Sequence, residues 1–184
     1  MKIKNPSLLI VAGLVILLAA FSRIVLFPYN FSPILAMCIF FGAIVADKKM
    51  AFAMPLLAML LSDIIFEAAH RGDGFWGWGQ LLDYGIFAMI TVFAFSLKKI
   101  NLPTVLGFTI GGSLLFFLLS NSVFFFVDNT IYHLYANSFQ GYLNCLEAGL
   151  PFIKNSLTAD ISYSAMFFGT YYLLNKYAFS KLTA

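Results

Sequence analysis

The chain has 184 residues, of which 61% are hydrophobic and only 10% are charged. Because a water-soluble domain carries about 25% charged residues, this composition argues against a soluble protein and indicates a helical membrane domain. The net charge is +3, but no basic run is longer than two residues, so the sequence gives no support to nucleic-acid binding.

Six apolar segments occupy most of the chain, and most of them approach the roughly 20 helical residues needed to cross a bilayer. They are continuously apolar, whereas the strands of a membrane barrel alternate apolar and polar residues. The predicted fold is therefore all-α: a polytopic membrane protein with six transmembrane helices in a single domain over residues 1–184. The predicted spans cover residues 8–27, 33–46, 50–68, 81–97, 104–127 and 153–175.

The first span follows two lysines and resembles a signal peptide, but it has no clean small-x-small cleavage site, so we expect it to be retained. Pro28 and Pro33 separate it from the second span. That second span has only about 14 residues, so it can cross only where the bilayer thins or where protein covers its end. Pro55 is expected to kink the third span.

Two connections on the same side of the predicted bundle are rich in aromatic residues. Residues 69–80 contain four glycines and three aromatic residues, which suits either a mobile segment over a ligand or an interfacial aromatic belt. In residues 128–152, apolar side chains recur at helical spacing from Phe139 to Leu146. This pattern predicts a short amphipathic surface helix that ends near Pro151.

The basic residues predict the topology. With six spans, eight of the eleven lie on one side, which the positive-inside rule assigns to the cytoplasm together with both termini. The three on or toward the opposite side are Arg23, Arg71 and Lys154.

Polar side chains concentrate in the outer half of the predicted bundle, which is the half away from the cytoplasm. Asp63, Asp83 and Asp160 are too short to reach water easily, so they should face the bundle interior. Two interpretations remain open. Ion pairs such as Arg23 with Asp63 and Lys154 with Asp160 could join helices, or the same groups could form a polar pocket open to the outside.

Asp63 and Glu67 lie one helical turn apart on one face, where two carboxylates could bind a cation or carry protons. An intramembrane enzyme or a proton-linked carrier that uses Asp63, Glu67 and Asp160 is therefore the alternative function. The sequence contains no serine-hydrolase, zinc-protease or phosphate-loop motif. We expect no enzymatic activity, no protein-bound metal and no cofactor.

Local patterns carry a resemblance to a known family. The first is Asn30-Phe31-Ser32-Pro33-Ile34-x-Ala36, followed by Phe41-Gly42-Ala43 and Leu61-Ser62-Asp63. The second is Leu150-Pro151-Phe152-x-x-Asn155-x-x-x-x-Asp160. With six short helices, cytoplasmic ends and a polar outer cavity, the chain resembles the substrate-binding S-components of energy-coupling factor (ECF) transporters and related uncharacterised bacterial membrane proteins.

The resemblance implies high-affinity capture and uptake of a small vitamin-like molecule across the bacterial inner membrane. It also implies a shared transmembrane subunit and ATPases as partner chains. The chain lacks the N-terminal histidine motif of the metal-ion members, which favours a vitamin, and a cobalamin-type ligand is the first expectation. The first span lacks the alanines four apart that pack on the shared subunit in many S-components, so uptake without that module is the other expectation.

The expected substrate-binding residues combine polar groups of the outer half with aromatic rings that could stack on a flat ligand. They are Asn30, Asp63, Glu67, Trp76, Trp78, Asp83, Tyr84, Asn121, Tyr132, Tyr135, Asn155 and Asp160. For a cobalamin-type ligand, the candidate cobalt ligands are His70, His133 and Cys145, although an ordinary surface residue is the favoured interpretation of each.

Overall fold

A computed structural model describes residues 30–68, 74–75 and 77–176, together with Gly13 and Phe21. Over these residues the all-α prediction is confirmed, because they form five helices and no strand. Most of the predicted first span, residues 8–27, lies outside the described residues. The helices are α1 (Ile34–Ile44), α2 (Lys48–Ala68), α3 (Trp78–Ala94), α4 (Leu102–Tyr132) and α5 (Phe139–Leu174).

Side-chain caps begin the two longest helices. The Asn101 side chain precedes α4 and accepts a hydrogen bond from the Thr104 N–H at 3.0 Å. Ser138 precedes α5, and its Oγ accepts from the Gly141 N–H at 3.1 Å. Each cap satisfies a backbone donor that has no partner in the first turn of its helix.

Helix α1 lies at the centre of the bundle and contacts the other four helices. All but one of its 11 residues are buried. At 1.5 Å per residue it is only about 16 Å long, roughly half the thickness of the hydrocarbon core. The segment predicted as the second span is therefore too short to cross a bilayer by itself, and it is enclosed by protein.

Helices α1 and α3 approach each other most closely at Gly42. A Cβ at this position would lie 2.6 Å from Thr91 O and 2.7 Å from Ala94 Cβ, atoms that cannot rotate away. We expect Gly42→Ala to destabilise the fold by about 1–3 kcal/mol and to lower the melting temperature in detergent. The control is Gly85→Ala in α3, where a new Cβ would meet nothing within 4 Å. Equal melting temperatures in the two variants would argue against this close contact.

Helices α2 and α4 are the two described helices long and apolar enough to cross a membrane. Exposed leucine and isoleucine side chains run along one face of each helix at spacings of three or four residues. Such rows are unusual on a soluble monomer and suit contact with lipid, so we conclude that the protein is membrane-associated. The rows are Leu57, Leu60, Leu61 and Ile64 in α2, and Ile110, Leu114 and Leu118 in α4.

Helix α5 has 36 residues and continues through Pro151. The predicted break near Pro151 and the separate surface helix before it are therefore wrong: residues 139–152 are the first third of α5. A proline inside a helix leaves the carbonyl four residues earlier without its donor. Here that carbonyl belongs to Glu147, and both residues are exposed, which lowers the cost of the missing hydrogen bond.

The helices alternate in direction, which brings distant polar residues to one end of the bundle. Helices α4 and α5 are antiparallel, with Thr109 Oγ1 donating to Ser164 Oγ at 3.0 Å and Ser113 Oγ lying 2.6 Å from Asp160 Oδ2. The starts of α1, α3 and α5 therefore lie at the same end as the ends of α2 and α4.

Candidate functional site

A polar cavity lies at this end of the bundle, between the start of α1, Met59 of α2, the first turns of α3, α4 from Ser113 to Asp128, and α5 from Gly149 to Asp160. It has two adjoining lobes with volumes of about 250 and 270 Å³. The lobes share part of their walls, so they form one site with two carboxylates where they meet. The shared residues are Asn30, Asp83, Phe116, Ser156 and Asp160.

Asp160 is the most deeply buried of the charged residues in this cavity, with 3% of its surface exposed. Its Oδ2 atom lies 2.6 Å from the Ser113 hydroxyl of α4. Lys154, the predicted ion-pair partner on the same helix, is exposed, and this ion pair is not formed. Arg23, which enters the other predicted pair, lies outside the described residues.

Asp83 reaches the cavity from the first turns of α3 and is half-buried. No described residue donates a hydrogen bond to its carboxylate. Asp128, near the end of α4, lines one of the same lobes. Three carboxyl groups and no basic side chain are therefore found in the described part of the cavity wall, so the cavity favours cations over anions.

A π-helical turn in α4, Phe124–Asp128, shapes this wall. Val123, Phe124 and Asp128, which lie at or beside this turn, all line the cavity. Such turns are rare and occur frequently at functional sites. After this turn, the Asn129 side chain pairs with both the N–H and the C=O of Tyr135, at 2.8 and 2.9 Å, and fixes the connection to α5.

Asn121 and Gly149 bring α4 and α5 together beside the cavity. The Asn121 Nδ2 group donates to Phe117 O at 2.8 Å within its own helix. A Cβ on Gly149 would lie only 2.6 Å from Asn121 Oδ1, so a larger residue here would require the Asn121 side chain or helix α5 to move. Both residues line the cavity, and substrate binding by Asn121 stays a prediction.

Asp63 and Glu67 instead fasten the end of α2 to the start of α3. Asp63 Oδ2 accepts hydrogen bonds from Gln80 Nε2 at 2.9 Å and from the Tyr84 hydroxyl at 2.8 Å. Gln80 Nε2 also donates to Gly74 O at 2.8 Å, and Glu67 accepts from the Gly74 N–H at 3.1 Å. Asp63, Glu67 and Tyr84 were predicted to bind substrate, but they do not line the two lobes.

Among the described residues, the aromatic rings predicted to cover the cavity do not lie over it. Trp78 and Tyr132 are 78% and 61% exposed, and the Tyr135 ring packs edge-on against Phe124. Asn155 is half-buried and does not line either lobe, while Trp76 lies outside the described residues. The aromatic rings in the cavity wall are those of Phe87, Phe116, Phe117, Phe124 and Phe152.

The two described candidate cobalt ligands, His133 and Cys145, do not line the cavity. His133 is exposed in the left-handed turn after α4, with φ of 52°. Cys145 is buried, and its thiol donates to Asn121 O at 3.7 Å. His70 lies outside the described residues. Within the described part of the chain, no three histidine, cysteine or carboxylate side chains group as metal ligands.

Sequence reasoning missed Ser113, Ser156 and Asp128 as cavity residues. The two serines are small polar residues inside apolar runs, and that signal is weak because serine is well tolerated in transmembrane helices. Asp128 follows the predicted end of a span at residue 127 and was assigned to a connection. It lies on the same helical face as Phe117, Asn121 and Phe124, so the length of the span, rather than its periodicity, was misjudged.

The fold and the cavity define a helical, membrane-associated protein with an acidic pocket between its helices. The chain belongs to DUF6580, a family of unknown function, whose sequence pattern matches residues 2–182. No curated protein and no solved structure matches the chain.

Proposed function

We propose that this protein binds a small hydrophilic solute in the acidic cavity and takes it up across the bacterial inner membrane. The observation that carries the proposal is that Asp83 and Asp160, from different helices, line one cavity. Ionisable groups within membrane helices are costly, so a cluster of them around an open space is expected to serve a ligand or an ion.

In the proposed membrane arrangement, residues 8–27 and helices α2 to α5 cross the bilayer. Helix α1, enclosed between them, leads the chain back from the outer to the inner end of the bundle and so makes the sixth passage. The positive-inside rule then places both termini in the cytoplasm and the cavity toward the outside. This arrangement agrees with the resemblance to S-components and with partner chains that would supply ATP hydrolysis. Uptake without such a module remains the other form of the proposal.

The size of the cavity argues for a ligand smaller than cobalamin. The two lobes together enclose at most about 520 Å³, which lies within the roughly 300–1,000 Å³ of pockets that enclose drug-sized ligands. A corrin ring with its side chains exceeds that size, and neither His133 nor Cys145 lines the lobes as an axial ligand. We therefore propose a small vitamin-like or amine-bearing solute rather than a cobalamin.

The alternative function required Asp63, Glu67 and Asp160 to act together. Asp63 and Glu67 are hydrogen-bonded to the start of α3 and to the segment before it, whereas Asp160 lies in the cavity. These three carboxylates do not line a common described cavity. The geometry therefore supports solute binding better than catalysis by Asp63, Glu67 and Asp160.

Solute retention after purification tests the proposal. We expect mass spectrometry of denatured wild-type protein to show a released small molecule, depleted tenfold or more in a variant carrying both Asp83→Asn and Asp160→Asn. The tenfold loss corresponds to about 1.4 kcal/mol of binding free energy. The matched control is Glu147→Gln, which removes one exposed carboxylate from α5. If every released molecule is equally abundant in all three proteins, the cavity does not bind a solute.

A further inference from the structure

We infer that Asp160 is a reversible proton-binding site, and that a cation entering the cavity displaces its proton. The proton site follows from the hydrogen-bond geometry around Ser113. The displacement rests on the solute-binding function proposed above, and it requires the bound solute to be a cation.

Ser113 can satisfy Asp160 in either protonation state. The Ser113 Oγ atom lies 2.6 Å from Asp160 Oδ2 and 2.9 Å from Thr109 O. A hydroxyl has one proton and can donate to only one of these oxygens at a time. When Asp160 is ionised, Ser113 donates to it. When Asp160 carries the proton, it donates to Ser113 Oγ, and Ser113 donates to Thr109 O.

The surroundings of Asp160 contain other acidic groups and no described counter-ion. Asp83 of α3 and Asp128 of α4 line the same cavity, and the thiol of Cys38 in α1 is buried nearby. The parts of α1 to α5 that line the two lobes contribute no lysine, arginine or histidine. A buried charge without a partner is costly, so Asp160 holds its proton while the cavity contains only water.

Entry of a cation stabilises the ionised form of Asp160, so the carboxyl group releases its proton. The O–H bond on Asp160 Oδ2 breaks, and the proton passes to water in the cavity. The electron pair stays on the carboxylate, which then accepts from Ser113 and faces the cation. One positive charge enters as one leaves, so the net charge of the cavity does not change. The solute class that fits is a small amine or ammonium compound.

Infrared spectroscopy of protein reconstituted in lipid tests the proton site directly. At neutral pH, we expect a carboxylic acid carbonyl band in the wild type and in Glu147→Gln that is missing from Asp160→Asn. In Ser113→Ala the band should shift, because the protonated carboxyl loses its acceptor. The Ser113→Ala shift assigns the band even if Asp160→Asn does not fold. Identical spectra for wild type, Asp160→Asn and Ser113→Ala would overturn the inference.

Methylammonium, which is small enough for either lobe, is the probe for displacement. We expect it to diminish the Asp160 band and to release protons into a weakly buffered solution, with neither effect in Asp160→Asn. A band that persists at saturating methylammonium would refute the displacement step. A band that responds to methylammonium, in a protein that retains no solute on purification, would support the proton site and contradict the proposed uptake function.

Discussion

Replacing Asp63 with alanine is expected to lower the free energy of unfolding by about 2–4 kcal/mol without reducing solute retention by the folded protein. The substitution removes the acceptor of two buried hydrogen bonds, from Gln80 Nε2 and from the Tyr84 hydroxyl. A buried donor left without a partner costs about 1–3 kcal/mol. Chemical unfolding in mild detergent, together with mass spectrometry of the released solute, measures the two effects separately.

Asp63→Asn is the informative control for this prediction. Both donors meet the same carboxylate oxygen, Oδ2, so the single amide oxygen of asparagine can accept both hydrogen bonds. We therefore expect Asp63→Asn to lose less stability than Asp63→Ala. If solute retention falls in Asp63→Asn while stability is unchanged, Asp63 belongs to the binding site after all, as its position in the sequence first indicated.

The collection of polar groups at one end of the bundle could be predicted from the sequence, because successive antiparallel helices alternate in direction. Asp83, Asn121 and Asp160 were placed at that end correctly, and they line the cavity. This prediction needs only the order of polar and apolar residues along each helix and the direction in which each helix runs.

The rotation of each helix could not be predicted. Asp83 and Tyr84 are neighbours in α3, but consecutive helical residues point about 100° apart. Asp83 therefore faces the cavity, whereas Tyr84, one turn after Gln80, faces Asp63. The apolar residues around them are too uniform to show which side of α3 meets α2, so the sequence assigned all of these polar residues to one site.

The helix lengths also could not be predicted from the sequence pattern. The apolar run of residues 33–46 was long enough to suggest a span, but only Ile34–Ile44 is helical and nearly all of it is buried. In α5, Pro151 suggested a break that an exposed face of the helix tolerates. In both cases the environment of the helix, protein around α1 and an exposed face on α5, decides the helix length more than the local sequence does.

Gly149→Val is expected to reduce solute retention at least tenfold and to destabilise the protein by about 1–3 kcal/mol. The new Cβ would lie 2.6 Å from Asn121 Oδ1 and 2.9 Å from the Phe117 ring. Helix α5 must then move away from α4, or the Asn121 side chain must rotate, and either change alters the cavity wall. Solute retention and melting temperature, both in detergent, measure the outcome.

Gly169→Val is the matched control, because it lies on the same helix and a Cβ there would meet nothing within 4 Å. The intrinsic effect of replacing glycine by valine on helix formation is similar at both positions, so the difference between the variants reports the contact at Gly149. Removing the obstructing side chain with Asn121→Ala should recover part of the stability lost in Gly149→Val, as expected for two residues that touch. If Gly149→Val and Gly169→Val retain equal amounts of solute, then the α4–α5 contact does not shape the binding site, and the cavity must accept its ligand through the walls formed by α1 and α3.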